Sequence, residues 1–250
     1  MEIISNSTPE PSLEGSDELK ITKISLGVKN PHRVNIFIND KYDFSLTLEQ
    51  LADYKLKEGQ VISDEDLERF RHASSLGKLY QNTLEWILLR PRSVKEAREH
   101  LRDKKYKRKL AKKRYDEYLT KRRTDPDNIV RAYQPKQPGA PISDDDIEQV
   151  IAKLLAVRAL DDARFVETYI DFRNRTKGTS LKKIRLELMK KGIKGSVIDE
   201  ALSSSDRSDA EEIQKIIEKK RRRYPDNQKL LAYLVRQGFS YDLARSALDL

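Results

Sequence analysis

The sequence predicts a mainly α-helical chain: three tandem three-helix repeats in an elongated array, preceded by a small N-terminal antiparallel β element. Three observations point there. From Leu76 onward, apolar residues recur at three- and four-residue spacing, the mark of helices buried along one face. A set of apolar residues and a glycine returns at a fixed offset of 46, the signature of stacked repeats. Residues 20–47 instead alternate with near period two, the period of strands.

The elements follow in order. Residues 1–18 are polar, hold Pro9, Pro11 and Gly15, and read as a disordered tail. A small β-rich domain with short helices is expected over 19–75. Its strands carry Ile21, Ile24 and Leu26, then Val34, Ile36 and Ile38, then Tyr42, Phe44 and Leu46, with Asn39–Asp40 as a turn. Thr47 to Gln50 fits a capping box, and Ser63 to Asp66 opens another short helix.

The repeats are read from the helical part. Leu188, Gly192, Ile193, Val197, Ala201 and Leu202 reappear as Leu234, Gly238, Phe239, Leu243, Ala247 and Leu248. Each glycine falls where a helix must stop in a left-handed conformation. An earlier copy starts at Leu101 and Tyr106 and resumes at Val150 and Ile151. The expected units are therefore 76–160, 161–205 and 206–250, with a basic insertion at about 107–146 in the first. No unit is large enough to stand alone, so neighbours must share a core. The insertion reads as a basic helix or hairpin, with eleven Lys/Arg between Lys104 and Arg123, followed by a flexible return through Pro126, Pro135, Pro138 and Pro141.

Composition narrows function. Without cysteine there is no disulfide, thiolate nucleophile or Cys-based zinc site. No apolar run approaches a membrane span, and nothing at the N-terminus reads as a signal peptide, so a soluble, cytoplasmic protein is expected. Residues 1–75 hold 9 Lys+Arg against 14 Asp+Glu, whereas residues 76–250 hold 41 against 27. Such clustering suits a nucleic acid or nucleoprotein partner through counterion release. Solvated Lys- and Arg-rich helix faces are the plainer reading.

Catalytic chemistry is hard to assemble. His32, His72 and His100 lie in three different elements without metal-ligand spacing, and there is no Gly-rich phosphate loop. Asp161 and Asp162, with Glu167 and Asp171 downstream, could hold a metal, but they open a helix where carboxylates cap free amides. No catalytic residue, metal or cofactor is expected.

The candidate binding residues are cations. Arg90 and Arg92 flank Pro91; Arg173, Arg175 and Lys177 close one helix, and Lys182, Lys183, Arg185, Lys190 and Lys191 decorate the next. Lys219, Lys220, Arg221, Arg222 and Arg223 repeat the theme in the third unit. The helix dipole favours cations at such ends, yet five in a row exceeds that need. Lys107, Arg108, Lys109, Lys112, Lys113, Arg114 and Tyr115 are candidates for an extra nucleic-acid contact in the insertion, where a tyrosine could stack on an exposed base.

Linked motifs carry a family likeness. Arg90-Pro91-Arg92-Ser93, then Leu160-Asp161-Asp162-Ala163-Arg164-Phe165, then Ile184 to Ile193 and Gly238-Phe239-Ser240 resemble the RecX regulatory proteins of bacteria. The insertion stands outside that pattern. The resemblance implies a monomeric, non-catalytic modulator of the RecA recombinase that binds the filament RecA forms on single-stranded DNA. Its action there is to limit filament growth, recombination and the SOS response. The alternative is a direct nucleic-acid-binding protein with helix-turn-helix-like modules. Against it, Val197 to Leu202 and Leu243 to Leu248 are poor base readers, the first apolar and acidic, the second with one arginine.

Overall fold

The structure is a computed structural model and describes residues 18–28, 30–124, 135–176 and 178–250, the side chains of 174–176 excepted. Apart from Glu18, the expected tail lies outside the described residues. The chain divides into two compact units, Met1–Lys78 and Leu79–Leu250.

In the first unit β1 (Leu19–Leu26), β2 (Arg33–Ile38), β3 (Lys41–Thr47) and β4 (Val61–Ile62) form an antiparallel sheet in the order β3-β2-β1-β4. Three strands are expected from the sequence, and β4 corrects that count. It pairs Ile62 with Leu19 and Val61 with Lys20, but two residues are too few to express an alternation. Asn39 and Asp40 have φ of 48° and 64°, the left-handed pair of a tight hairpin turn whose twist matches its strands. Ile21, Ile36 and Leu46 are fully buried on the sheet, covered by Leu67 and Phe70. The Thr47–Gln50 capping box opens α1 (Leu48–Asp53).

Leu67 and Phe70 belong to α2 (Asp64–Leu88). The sequence suggests one short helix at Ser63 and another from Leu76; a single helix carries both stretches. Gly77, inside this helix, costs about 1 kcal/mol relative to alanine. A Cβ there would come within 3.4 Å of the Arg33 and Gln50 side chains.

The second unit is helical throughout its described elements. After the end of α2 come α3 (Val94–Thr124) and α4 (Asp144–Ala156). A second set follows as α5 (Asp162–Thr176), α6 (Leu181–Lys190) and α7 (Gly195–Ser203). The third set is α8 (Asp209–Lys220), α9 (Asn227–Arg236) and α10 (Tyr241–Ser246). The second set closes around Ile184, Leu188, Ile193 and Ile198, the third around Leu230, Leu234, Phe239 and Leu248. These are the apolar positions of the 46-residue repeat.

Consecutive sets are joined by the same hydrogen bonds. Ser93 accepts from the Glu96 amide (3.2 Å) and donates to the Lys191 carbonyl (2.8 Å). Ser180 accepts from the Lys183 amide (3.1 Å) and donates to the Gln237 carbonyl (2.8 Å). An aspartate opening the next set takes the first helical amide: Val94 N–H donates to Asp162 (2.9 Å) and Leu181 N–H to Asp209 (2.8 Å). Both Asp161 and Asp162 cap helix amides, as the sequence suggests, but not of the same helix. Asp161 caps its own helix through the Arg164 amide (3.1 Å), whereas Asp162 caps α3 across the junction. The carbonyls that Ser93 and Ser180 bind precede Gly192 (φ +82°) and Gly238 (φ +95°). A Cβ at these glycines would lie 2.7 Å from Lys95 and 2.5 Å from Ser180 Oγ, so the turn needs glycine for its conformation and for its closeness. In the third set Asp226 caps α9, accepting from the Gln228 and Lys229 amides (2.7 and 3.4 Å).

One pair of junction positions differs in kind. Leu160 and Phe165, where the second set begins, are both buried. Forty-seven residues on, the same places hold Arg207 and Glu212, a buried ion pair at 3.1 Å with side chains 1% and 4% exposed. Arg207 also donates to the Thr179 carbonyl, and Lys215 reaches Glu212 from the surface at 2.6 Å.

The basic stretch after Leu101 is a continuation of α3, whose buried residues are Ala97 and Leu101 alone. Residues 125–134, including Pro126, lie outside the described residues. The returning chain is pinned where Arg108 donates to the Ala140 carbonyl (2.9 Å) and Ile142 is buried. A Ser143–Asp146 capping box then starts α4.

Candidate functional site

The structure sorts the candidate cations by what they already hold. Several are committed within the fold. The Arg92 guanidinium lies over Trp86, 3.9 Å from the ring centroid, and His100 stacks on Trp86 with centroids 3.9 Å apart. Arg90 sits 3.5 Å from Glu96, which Lys191 also pairs at 2.7 Å. Arg173 pairs with Glu187 at 2.8 Å and donates to the Tyr169 hydroxyl. Arg185 forks onto Asp199 (2.8 and 3.0 Å), and that hydrogen bond raises its pKa above the ordinary arginine value. Lys183 donates to Gln237 at 2.5 Å, and Arg221 to Asn227.

Others are open. Lys182, Lys190 and Arg222 are exposed and have no ion pair among the described residues. Lys220 and Arg223 lie only loosely over Tyr233 and Tyr224, at 6.0 and 5.8 Å. The Arg175 side chain and Lys177 lie outside the described residues. Lys182 and Lys190 stand eight residues apart on α6, two turns along one exposed face. The remaining open cations follow α8, where Lys219 and Lys220 close the helix.

On α3, Lys109, Lys112 and Arg114 are exposed, while Lys107 pairs with Asp103 (2.6 Å) and Lys113 lies 3.9 Å from Glu117. Burial, then Arg108 and Lys107 nearby, push the Lys104 ammonium below its ordinary pKa. Positive charge is thus already crowded at the base of this helix. Tyr115 and Tyr118 approach each other at 6.4 Å, and Tyr106 is exposed.

Sequence reasoning missed two features. Trp86, His100 and Arg92 form a three-layer stack between α2 and α3, invisible because its members are not helical neighbours. Exposed Leu186, Met189, Val235 and Tyr241 were also passed over. The 46-residue register could have found the first three, since it places them off the buried stripe.

Three-helix sets clipped together through their helix ends, with open cations on the second and third, define a helical-repeat protein with cationic outer faces. Among the described residues no helix is long and apolar enough to cross a membrane. The family profile for the regulatory protein RecX N-terminal domain matches residues 19–63. Those for the second and third RecX three-helix domains match 161–202 and 208–248. The Regulatory protein RecX of Listeria monocytogenes serovar 1/2a is 32% identical over 236 residues, 92% of this chain and 74% of its own length. That of Bacillus subtilis strain 168 is 29% identical over 236 residues, 92% of this chain and 76% of its own. The chain belongs to the RecX family of regulatory proteins. A crystal structure of regulatory protein RecX shares its fold, with a TM-score of 0.66 and 22% identity over 93% of this chain and 100% of that one.

Proposed function

We propose that the chain binds the RecA–single-stranded DNA filament in the cytoplasm and restrains its growth, and with it recombination, DNA repair by strand exchange and SOS induction. It acts by binding, without catalysis. The observation that carries this reading is the set of open cations, Lys182 and Lys190 on α6 and Lys220, Arg222 and Arg223 at the end of α8. Clustered cations free of internal partners favour association with an anionic nucleoprotein while adding little to stability. Family membership and the linked motifs support RecA as the partner. Lys109, Lys112, Arg114 and Tyr115 on α3 add a contact to the DNA strand.

Co-sedimentation with the cognate filament, with bare single strands and with duplex at physiological salt tests the reading. Filament binding should dominate, and Lys182→Glu/Lys190→Glu/Arg222→Glu should weaken it strongly without changing the melting temperature. Tighter, sequence-specific binding to naked duplex would replace it with direct DNA recognition.

A further inference from the structure

The second helices of the three sets share one register, 87 residues from first to second and 46 from second to third. The inward positions agree: Ala97, Ile184 and Leu230 are buried, as are Leu101, Leu188 and Leu234. The outward positions do not. The first set places Glu99, Arg102 and Asp103 outward; the second has Leu186, Met189 and Lys190; the third has Ala232, Val235 and Arg236. Leu186 is 52% exposed, Met189 47% and Val235 39%, with Tyr241 56% exposed at the start of α10. Val235 and Tyr241 border an open groove of ≈ 660 Å³ that Tyr224, Lys229, Ala232 and Arg236 also line.

Single exposed apolar residues need no explanation. Here an apolar pair followed by a cation recurs at the same positions of two consecutive sets, while the first set is charged there. A phosphodiester backbone offers charge but nothing to cover Leu186, Met189 or Val235. An acidic protein surface bearing aliphatic side chains offers both, and an apolar centre ringed by charge is the usual build of a protein interface.

We infer that the outer faces of α6 and α9 dock the protein component of the filament through an acidic surface with apolar side chains, and that neither is a DNA contact. This rests on the filament reading above and assigns one part of it. Met189 and Leu186 enter the partner's apolar patch; Lys190 and Arg236 meet its carboxylates at the rim.

The test compares the full chain with Leu186→Ser/Met189→Ser/Val235→Ser, using three probes: the recombinase filament on oligodeoxythymidine, the recombinase without DNA, and bare oligodeoxythymidine. The triple variant should bind the filament about tenfold or more weakly, as loss of a few central interface residues does. It should also lose what binding there is to DNA-free recombinase, yet bind bare DNA with unchanged affinity and salt slope. Met189→Leu/Val235→Ile should bind as the parent does, and circular dichroism melts should match throughout. Parent-like filament binding by the triple variant overturns the docking surface and leaves the filament reading standing. So does an equal loss on bare DNA, which would give the strip to bases. A parent chain that ignores the filament overturns both.

Discussion

The buried pair Arg207–Glu212 invites a double-mutant cycle, because the chain carries its own control at the equivalent junction, Leu160 and Phe165. Removing one member of a buried ion pair costs about 3–5 kcal/mol, since the survivor keeps its desolvation penalty and loses its partner. Here the two single changes should differ. Glu212→Leu takes the paired carboxylate from a guanidinium that is 1% exposed, leaving it the Thr179 carbonyl and the field of Asp209, so it should cost about 3–5 kcal/mol. Arg207→Leu leaves Glu212 with Lys215 at 2.6 Å, whose own side chain is 47% exposed, and should cost less, about 2–3 kcal/mol. The double variant should recover to within about 1–2 kcal/mol of the parent, the residue being the lost guanidinium bond to Thr179. Urea denaturation at pH 7, with the slope checked for two-state behaviour, measures all four corners. If the double variant is as unstable as the two singles added together, the pair is not a coupled unit and the reasoning fails.

Three further expectations follow from other parts of the fold. Gly238→Ala should cost about 2–4 kcal/mol in urea melts and Gly59→Ala only about 1–2, because both have positive φ but only Gly238 faces an atom, Ser180 Oγ at 2.5 Å. Replacing residues 109–138 with a short Gly/Ser linker keeps the Arg108–Ala140 bond; unfolding should stay cooperative, while the slope of log binding constant against log salt should fall. His100 is pushed below its ordinary value of 6.5 by burial and then by Lys104 and Arg92, so its neutral ring contributes stability that is complete above about pH 6.5 and is lost as pH falls toward its lower folded value. Trp86, the only tryptophan, reports this directly. Its emission should be flat through pH 6.5 and change only below; a midpoint at 6.5 or higher would show that the stack does not protect the ring.

What was legible in the sequence followed from local pattern. Gly192 and Gly238 could be read as left-handed stops because each sits four residues past a buried leucine, and the copies confirm one another. The hairpin at Asn39–Asp40 and the caps at Thr47 and Ser63 are equally local. The junctions were not legible, because Ser93 binds a carbonyl 98 residues away and Ser180 one 57 away. Nor was the sorting of the cations. Lys191 and Lys190 are neighbours of the same type, yet Glu96, 95 residues upstream, takes only the first. Charge in a sequence says what could bind; which charges are already spent depends on the fold.

The junctions also give the array a direction. A serine hydroxyl can accept from its own helix and donate onward at the same time, and Ser93 and Ser180 do both. Asp226 holds the matching place on α9, and an ionised carboxylate can only accept. It serves its own amides and offers no hydrogen to a following carbonyl. Asp226→Ser would restore that onward donor while keeping an oxygen to cap α9. One register position thus carries two kinds of cap in this chain, one that also donates onward and one that only accepts.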